Sequence, residues 1–485
     1  MSRSKKLYVL LGVLLAVCLA VFGASRYNER KEEIKNSDEI ILEIAGDDVT
    51  SLSWEYEGES LAFHKGENWL YDEDEAFPVN EEKIAELLSQ FEQFGVSFII
   101  ENVEDYGQYG LEKPVCKINL GTEDQTYEIS LGDYSAMDSQ RYVSVGDGNV
   151  YLVKHDPFED FEITIRDMIK NDEIPELSGA ESIQFAGTEN YSVTYEEESD
   201  NTYNAEDVYF TKQDGTVLPL DTANVGNYLQ AVRDLDLTNY VSYNASEEEI
   251  ASYGLDDPEL TVTVQYSVKD EENGEEETAS SNTFVLHVSR DSKTREAAME
   301  ESDLEAETDE GTDEGSDEET DEEEVPAYVR IGESQIIYQI SEDGYKALMD
   351  ASYNTLRHQE ILPADFNDVV QFDITLEGAD YTITSSKEDE KTIWYYQEEE
   401  VSTADIKSAL MLLKADEFTD EQPSQKEEIR VTVHLNNENF PEVKIELYRY
   451  DGSHCLAVVG GKPMALVERS YVVDLVEAVN GIVLN

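Results

Sequence analysis

The chain repeats itself, and that repetition limits what it can fold into more than any other feature. Residues 101–120 read ENVEDYGQYGLEKPVCKINL and residues 244–264 read NASEEEIASYGLDDPELTVTV. Both contain Tyr-Gly-Leu-x-x-Pro: Tyr109, Gly110, Leu111 and Pro114 in the first, Tyr253, Gly254, Leu255 and Pro258 in the second. Similarity at long, regular spacing means that one supersecondary unit is copied along the chain. The match extends upstream. Asn80 precedes EEKIAELLSQFEQF, which places Ile84, Leu87, Leu88, Phe91 and Phe94 on one helical face, and Asp221 precedes TANVGNYLQAVRDL, which places Val225, Tyr228, Leu229, Val232 and Leu235 at the same spacing. Asn and Asp are suited to cap such helices. Downstream, YEISLG and RYVSVGDGNVYLV (127–132, 141–153) match FVLHVS and AYVRIGESQIIYQI (284–289, 327–340), and helical patterns follow at 156–170 and 342–356.

A degenerate third copy closes the chain. VSTADIKSALMLL (401–413) supplies the helix face Ile406, Leu410 and Leu413, with Ser402 and Asp405 placed for a capping box. KIELYRY (444–450) and HCLAVVGGKPMALV (454–467) repeat the strands, Gly460-Gly461 reads as a hairpin turn, and SYVVDLVEAVNGIV (470–483) repeats the last helix. QPSQKEE (422–428) stands where Tyr-Gly-Leu-x-x-Pro is expected. Each copy opens on alternating apolar and polar residues, as in 50–72 and 369–396, the pattern of half-buried antiparallel strands. The order per copy, β-β-(β)-α-turn-β-β-β-α, predicts an α+β fold with helices packed on antiparallel sheet. Tyr-Gly-Leu-x-x-Pro itself is expected to stop a helix and start a strand. Ser246 and Glu249 form a capping box, Gly254 supplies the left-handed residue, Leu255 the apolar contact, and Pro258 bars continuation.

Leu7 to Ala24 is one uncharged apolar run, and eighteen residues at a rise of ~1.5 Å span about 27 Å. Arg3, Lys5 and Lys6 precede it and hold that flank in the cytoplasm. The expectation is a single-pass anchor at 7–24, a cytoplasmic N-terminus at 1–6, a juxtamembrane stalk at 25–46, and extracytoplasmic modules at 47–175, 176–363 and 364–485. A cleaved signal peptide competes with this, but its apolar core is normally shorter and Phe22 sits badly before a cut after Ala24. A lipoprotein reading meets Val17 before Cys18, where a small residue is wanted.

Charge narrows the function. The 485 residues carry 110 Asp and Glu against 34 Lys and Arg, a formal charge of −76, which excludes nucleic acid as a partner and argues against broad docking on anionic lipid. An insert at 291–325 holds the densest block: 296–324 contains 17 acids and no base, and is expected to be disordered and solvated. It lacks the oxygen spacing of an EF-hand, leaving diffuse binding of divalent cations as the alternative to a spacer. Three Cys exclude a disulfide scaffold and point to free thiols at Cys116 and Cys455. The six His (64, 155, 287, 358, 434, 454) show no zinc-type spacing, and there is no nucleophile elbow or phosphate-binding loop, so no catalytic residue, metal or cofactor is expected. Trp54, Trp69 and Trp394 fall on first-hairpin strands, where they form core if buried and a glycan or protein surface if exposed.

With its anchor, Tyr-Gly-Leu-x-x-Pro repeats and hairpin-helix-strand order, the chain resembles the family called domain of unknown function 4340 over most of residues 5–360, and more loosely beyond. The resemblance implies a bacterial protein with one N-terminal membrane helix and repeats outside the cytoplasm. It also implies an accessory role beside gliding-motility-type ABC transport components, their permease or ATPase subunits, and carries over no catalytic residue. The expected function is a non-enzymatic, membrane-anchored interaction protein. An envelope glycan-binding surface protein is the alternative, and an extracellular hydrolase a third.

Overall fold

The computed structural model describes residues 33–268, 280–295, 325–388 and 391–484. The run Leu7 to Ala24 and the insert from 296 to 324 lie outside them, and among the described residues no helix is long and apolar enough to cross a membrane. Two compact units divide the chain, Met1–Asn171 and Asp172–Asn485.

The first unit is built on β1 (Glu33–Asn36), β2 (Ile40–Leu42), β3 (Val49–Tyr56), β4 (Glu59–Lys65), β5 (Trp69–Tyr71), β6 (Phe94–Glu101), β7 (Cys116–Thr122), β8 (Thr126–Ser135), β9 (Gln140–Ser144) and β10 (Val150–Val153). Their order is β5-β4-β3-β7-β8-β9-β10-β6-β1, with β2 also on β6. The second unit holds two sheets. One comprises β11 (Ala180–Gly187), β12 (Tyr191–Tyr195), β13 (Tyr209–Gln213), β14 (Thr216–Pro219), β15 (Tyr240–Ser242), β16 (Leu260–Val268), β17 (Ser280–Arg290), β18 (Ala327–Ile331) and β19 (Ile337–Ile340). The other comprises β20 (Val369–Leu376), β21 (Ala379–Glu388), β22 (Lys391–Tyr396), β23 (Glu399–Val401), β24 (Glu417–Phe418), β25 (Glu427–Leu435), β26 (Glu442–Arg449), β27 (His454–Val459) and β28 (Lys462–Glu468). Their orders are β14-β13-β12-β11-β16-β17-β18-β19-β15 and β23-β22-β21-β20-β25-β26-β27-β28-β24.

The three orders follow one rule. The opening strands run backwards, a four-strand meander runs forwards, and the strand after the helix pairs with the last meander strand, as the edge in the second and third sheets and inside β1 and β2 in the first. Register agrees as well. Leu52 faces Phe63 and Leu120, Ile183 faces Val193 and Val264, and Phe372 faces Ile383 and Val433. Two residues on, Trp54, Phe185 and Ile374 occupy one core position with three different side chains. Apolarity is kept there while identity and size change, as repacked cores allow.

Helices α1 (Glu81–Ser89), α2 (Thr222–Arg233), α3 (Glu247–Ser252), α4 (Glu342–Met349), α5 (Tyr353–Leu356), α6 (Ala404–Leu412) and α7 (Arg469–Val483) cover these sheets. Asn80 caps α1 through the Glu82 and Lys83 amides, and Asp221 caps α2 through those of Ala223 and Asn224. The apolar faces lie inward: Val225, Tyr228, Leu229 and Val232 are buried, and the Tyr228 hydroxyl donates to the Leu348 carbonyl at the end of α4 (3.1 Å). In the third sheet Ile406, Leu410 and Leu413 share one core cluster with Val472, Leu475 and Val479 of α7.

Several expectations need correction. The pattern from 81 to 94 is not one helix: α1 ends at Ser89, and Phe94 begins β6, which pairs with β10. That strand, like β15 and β24, escapes sequence reading because its partner lies far along the chain. The stretch 156–170 breaks into short turns at Phe158–Phe161 and Ile165–Met168, since Thr164 and Asp167 form a capping box that starts a new turn. Ser402 and Asp405 form no such box, because Thr403 takes the N-cap position without a side-chain cap. Part of the segment read as a stalk (25–46) supplies β1 and β2, whose backbones satisfy β6. Within the insert at 291–325, Asp291 accepts from the Lys293 and Thr294 amides (both 3.0 Å) and holds a helical turn.

Cys116 on β7 and Cys455 on β27 are free thiols without solvent exposure. Burial pushes them up to about 12 and about 11 respectively. Only the thiolate is nucleophilic. We therefore expect neither to be alkylated by iodoacetamide at pH 8 in the folded chain and both to react in urea, as read by peptide mass spectrometry.

Candidate functional site

The two Tyr-Gly-Leu-x-x-Pro segments form the same turn. In α3, Ser246 and Glu249 make the reciprocal capping box. At its end the Leu255 amide donates to the Ile250 carbonyl and the Gly254 amide to that of Ala251, with Gly254 at φ +73°. The first copy repeats this on a 3-10 turn (Tyr106–Tyr109): Leu111 donates to Tyr106 and Gly110 to Gly107, with Gly110 at φ +70°. Paired bonds closing on a left-handed residue satisfy carbonyls that the helix leaves open. Tyr109 lies against Tyr142 (4.9 Å between ring centroids) and Tyr253 against Tyr328 (4.6 Å). Leu111 and Leu255 are buried, and Pro114 and Pro258, half-buried, precede β7 and β16. Every residue of the motif therefore has a packing role.

A second group was not legible in the sequence. Leu356 to Ile361 runs as a strap within the second unit. The Asp221 amide donates to the Leu356 carbonyl (3.0 Å), Ile361 donates to the Leu413 carbonyl (3.0 Å), and Ala415 to that of Gln359 (2.7 Å). Residues 358 and 360, two apart along the strap, bring their side chains together, His358 Nδ1 lying 3.9 Å from Glu360 Oε2. His358 Nε2 lies 2.8 Å from Oδ1 of Asp207, a residue only 3% exposed whose carboxylate also accepts from Thr202 Oγ1 (2.6 Å) and Asn204 Nδ2 (3.1 Å). Since a carboxylate only accepts, Nε2 carries the hydrogen and Nδ1 faces the other way. There it meets Asp221 Oδ2 at 3.6 Å and Glu360 Oε2 at 3.9 Å. The remaining oxygens are engaged: Asp221 Oδ1 caps α2, and Glu360 Oε1 accepts from Lys414 Nζ (2.8 Å). Burial opposes charge on His358, but the hydrogen bond and charge of Asp207, with Asp221 and Glu360 behind, raise its pKa above the ordinary 6.5. Burial likewise works against Glu360, yet the Lys414 hydrogen bond holds its carboxyl below the usual range. Beside the strap, the Arg357 guanidinium stacks on Phe418 of β24 (3.8 Å to the ring centroid).

The other histidines are dispersed. His64 pairs with Asp72 (2.6 Å), His434 with Asp373 (2.6 Å) and His454 with Asp416 (3.1 Å). His287 on β17 lies 3.1 Å from Thr261 Oγ1, and burial together with the facing Arg330 lowers its pKa below 6.5. The unfolded chain therefore takes up a proton there before the folded one does. The contribution of His287 to stability is complete above about pH 6.5 and falls as the pH drops below it. We expect His287→Gln to flatten that limb of a urea-midpoint profile between pH 7 and pH 5. Of the tryptophans, Trp54 and Trp69 are buried in the core, and Trp394 is half-buried against Phe372 (5.1 Å). They form no exposed aromatic row for a glycan.

Residues 69–212 match the model of the family described as Domain of unknown function (DUF4340). No curated protein and no solved structure matches the chain. The matched stretch starts on β5 and ends on β13, its counterpart in the second sheet, and so covers one period of the strand order.

Proposed function

We propose, from the match of residues 69–212 to the DUF4340 family model, that this chain is a non-enzymatic accessory subunit. On this reading Leu7 to Ala24 anchors it in the membrane and three α+β modules stand outside the cytoplasm to contact an ABC-type transport complex. The observation that carries it is architectural. One strand order occurs three times, and the motif shared by the first two copies goes wholly into helix stopping and packing. The carboxyls with a clear pKa shift speak against a hydrolase. Among the described residues Asp38, Asp236, Glu249, Glu259, Asp291, Glu360, Asp365, Asp373 and Asp451 all move down, whereas a general acid needs its pKa raised.

Affinity purification from cross-linked membranes tests the proposal. Permease or ATPase subunits of an ABC transporter should copurify with the full chain and be lost from a variant lacking residues 7–24. Recovery of only unrelated proteins, or a full chain that fractionates away from membranes, overturns it.

A further inference from the structure

We propose that Asp221, His358 and Glu360 form a binding site for one divalent transition-metal ion of the Zn2+ class. The three ligand atoms are Asp221 Oδ2, His358 Nδ1 and Glu360 Oε2, and they lie within 4.8 Å of one another. Ligands around a tetrahedral ion with bonds of ~2.0–2.1 Å stand about 3.3 Å apart. The present separations of 3.6 and 3.9 Å from Nδ1 are too long for direct hydrogen bonds and need only slight closure around an ion.

What separates this group from the many acidic clusters on so negative a chain is that each ligand is held from behind. Asp207 fixes the imidazole through Nε2, the first amides of α2 fix Asp221 through Oδ1, and Lys414 fixes Glu360 through Oε1. A carboxylate behind the imidazole is the usual support of a metal-bound histidine, since it sets the tautomer and strengthens the donor. Charge agrees with the assignment. Asp207, Asp221 and Glu360 against Lys414 leave two negative charges in a partly buried site, which one divalent cation neutralises. An imidazole with two carboxylates suits Zn2+, Co2+ or Mn2+ rather than Ca2+, which needs six to eight oxygens. Water completes the coordination. The ion would join the capped start of α2 to the strap that leads into the third sheet. The earlier expectation of no metal rested on sequence spacing, which cannot register ligands brought together by the fold.

The test uses the full-length chain in detergent, stripped with a chelator and titrated with Zn2+ by calorimetry at physiological salt. One equivalent should bind saturably, apart from any weak uptake by the acidic 296–324 segment. Glu360→Gln and Asp221→Asn should each weaken that site by at least about tenfold, a lower bound set by the losses that follow from second-shell changes alone. Asp221→Asn keeps an oxygen to cap α2, so circular dichroism should be unchanged and the loss assignable to the ligand. With Co2+, visible ligand-field bands should appear in the parent chain and vanish in His358→Gln. The proposal is overturned if no stoichiometric equivalent binds, or if folded Glu360→Gln and Asp221→Asn keep the parent affinity.

Discussion

Gly110→Ala is expected to destabilise the first unit by about 2–5 kcal/mol, combining the cost of a left-handed L-residue with that of overpacking. Gly110 stands at φ +70°, and a Cβ there would sit 2.5 Å from Asp133 Oδ1 and 2.7 Å from the Asp133 amide nitrogen. That nitrogen belongs to β8 and cannot move without disturbing the sheet. Gly254→Ala meets the same situation, 2.6 Å from the Arg290 carbonyl at φ +73°. Gly58, at φ +88° with nothing within 4 Å, separates the two effects. Its alanine variant should cost only the conformational part, about 1–2 kcal/mol. Urea unfolding of the three variants, followed by tryptophan fluorescence, checks the ranking. Equal losses at Gly58 and Gly110 would mean that the turn does not press against β8 as described.

The second large effect lies at the centre of the first sheet. Trp54 is 2% exposed, stacks on Phe63 at 5.6 Å between ring centroids and meets Phe161 edge-on at 5.4 Å. Trp54→Ala removes the largest side chain of that core, and large-to-small changes of this kind cost about 3–5 kcal/mol. Trp54→Phe should recover much of the loss, because the corresponding position in the second sheet is Phe185. Trp394→Ala, at a half-buried site, should cost clearly less. Thermal unfolding by calorimetry gives all three values. A Trp54→Ala chain that unfolds with the parent profile would contradict the assigned core.

Local patterns in the chain carried much of this architecture. The alternation along 369–376 reads directly as a strand because one face is buried and the period is two. The capping box of Ser246 and Glu249 and the stop at Gly254 are legible because their partners lie within a few residues. Where the reading failed, the deciding contact was distant. Phe94 looks helical until β10 claims it, and the pattern from 156 to 170 looks helical until a new turn at Thr164 and the bridge from Ile169 to Val79 redirect the backbone.

By itself, then, the sequence determined the repeat, the acidity, the helix caps and stops, and most strands, since each depends on neighbours in the chain or on composition. Tertiary structure alone decided the strand order, the closing edge strands and the meeting of Asp207, Asp221, His358 and Glu360. Those side chains are drawn from loop, helix cap and strap, and their proximity follows from how the backbone closes. No periodicity of two or 3.6 residues encodes that closure.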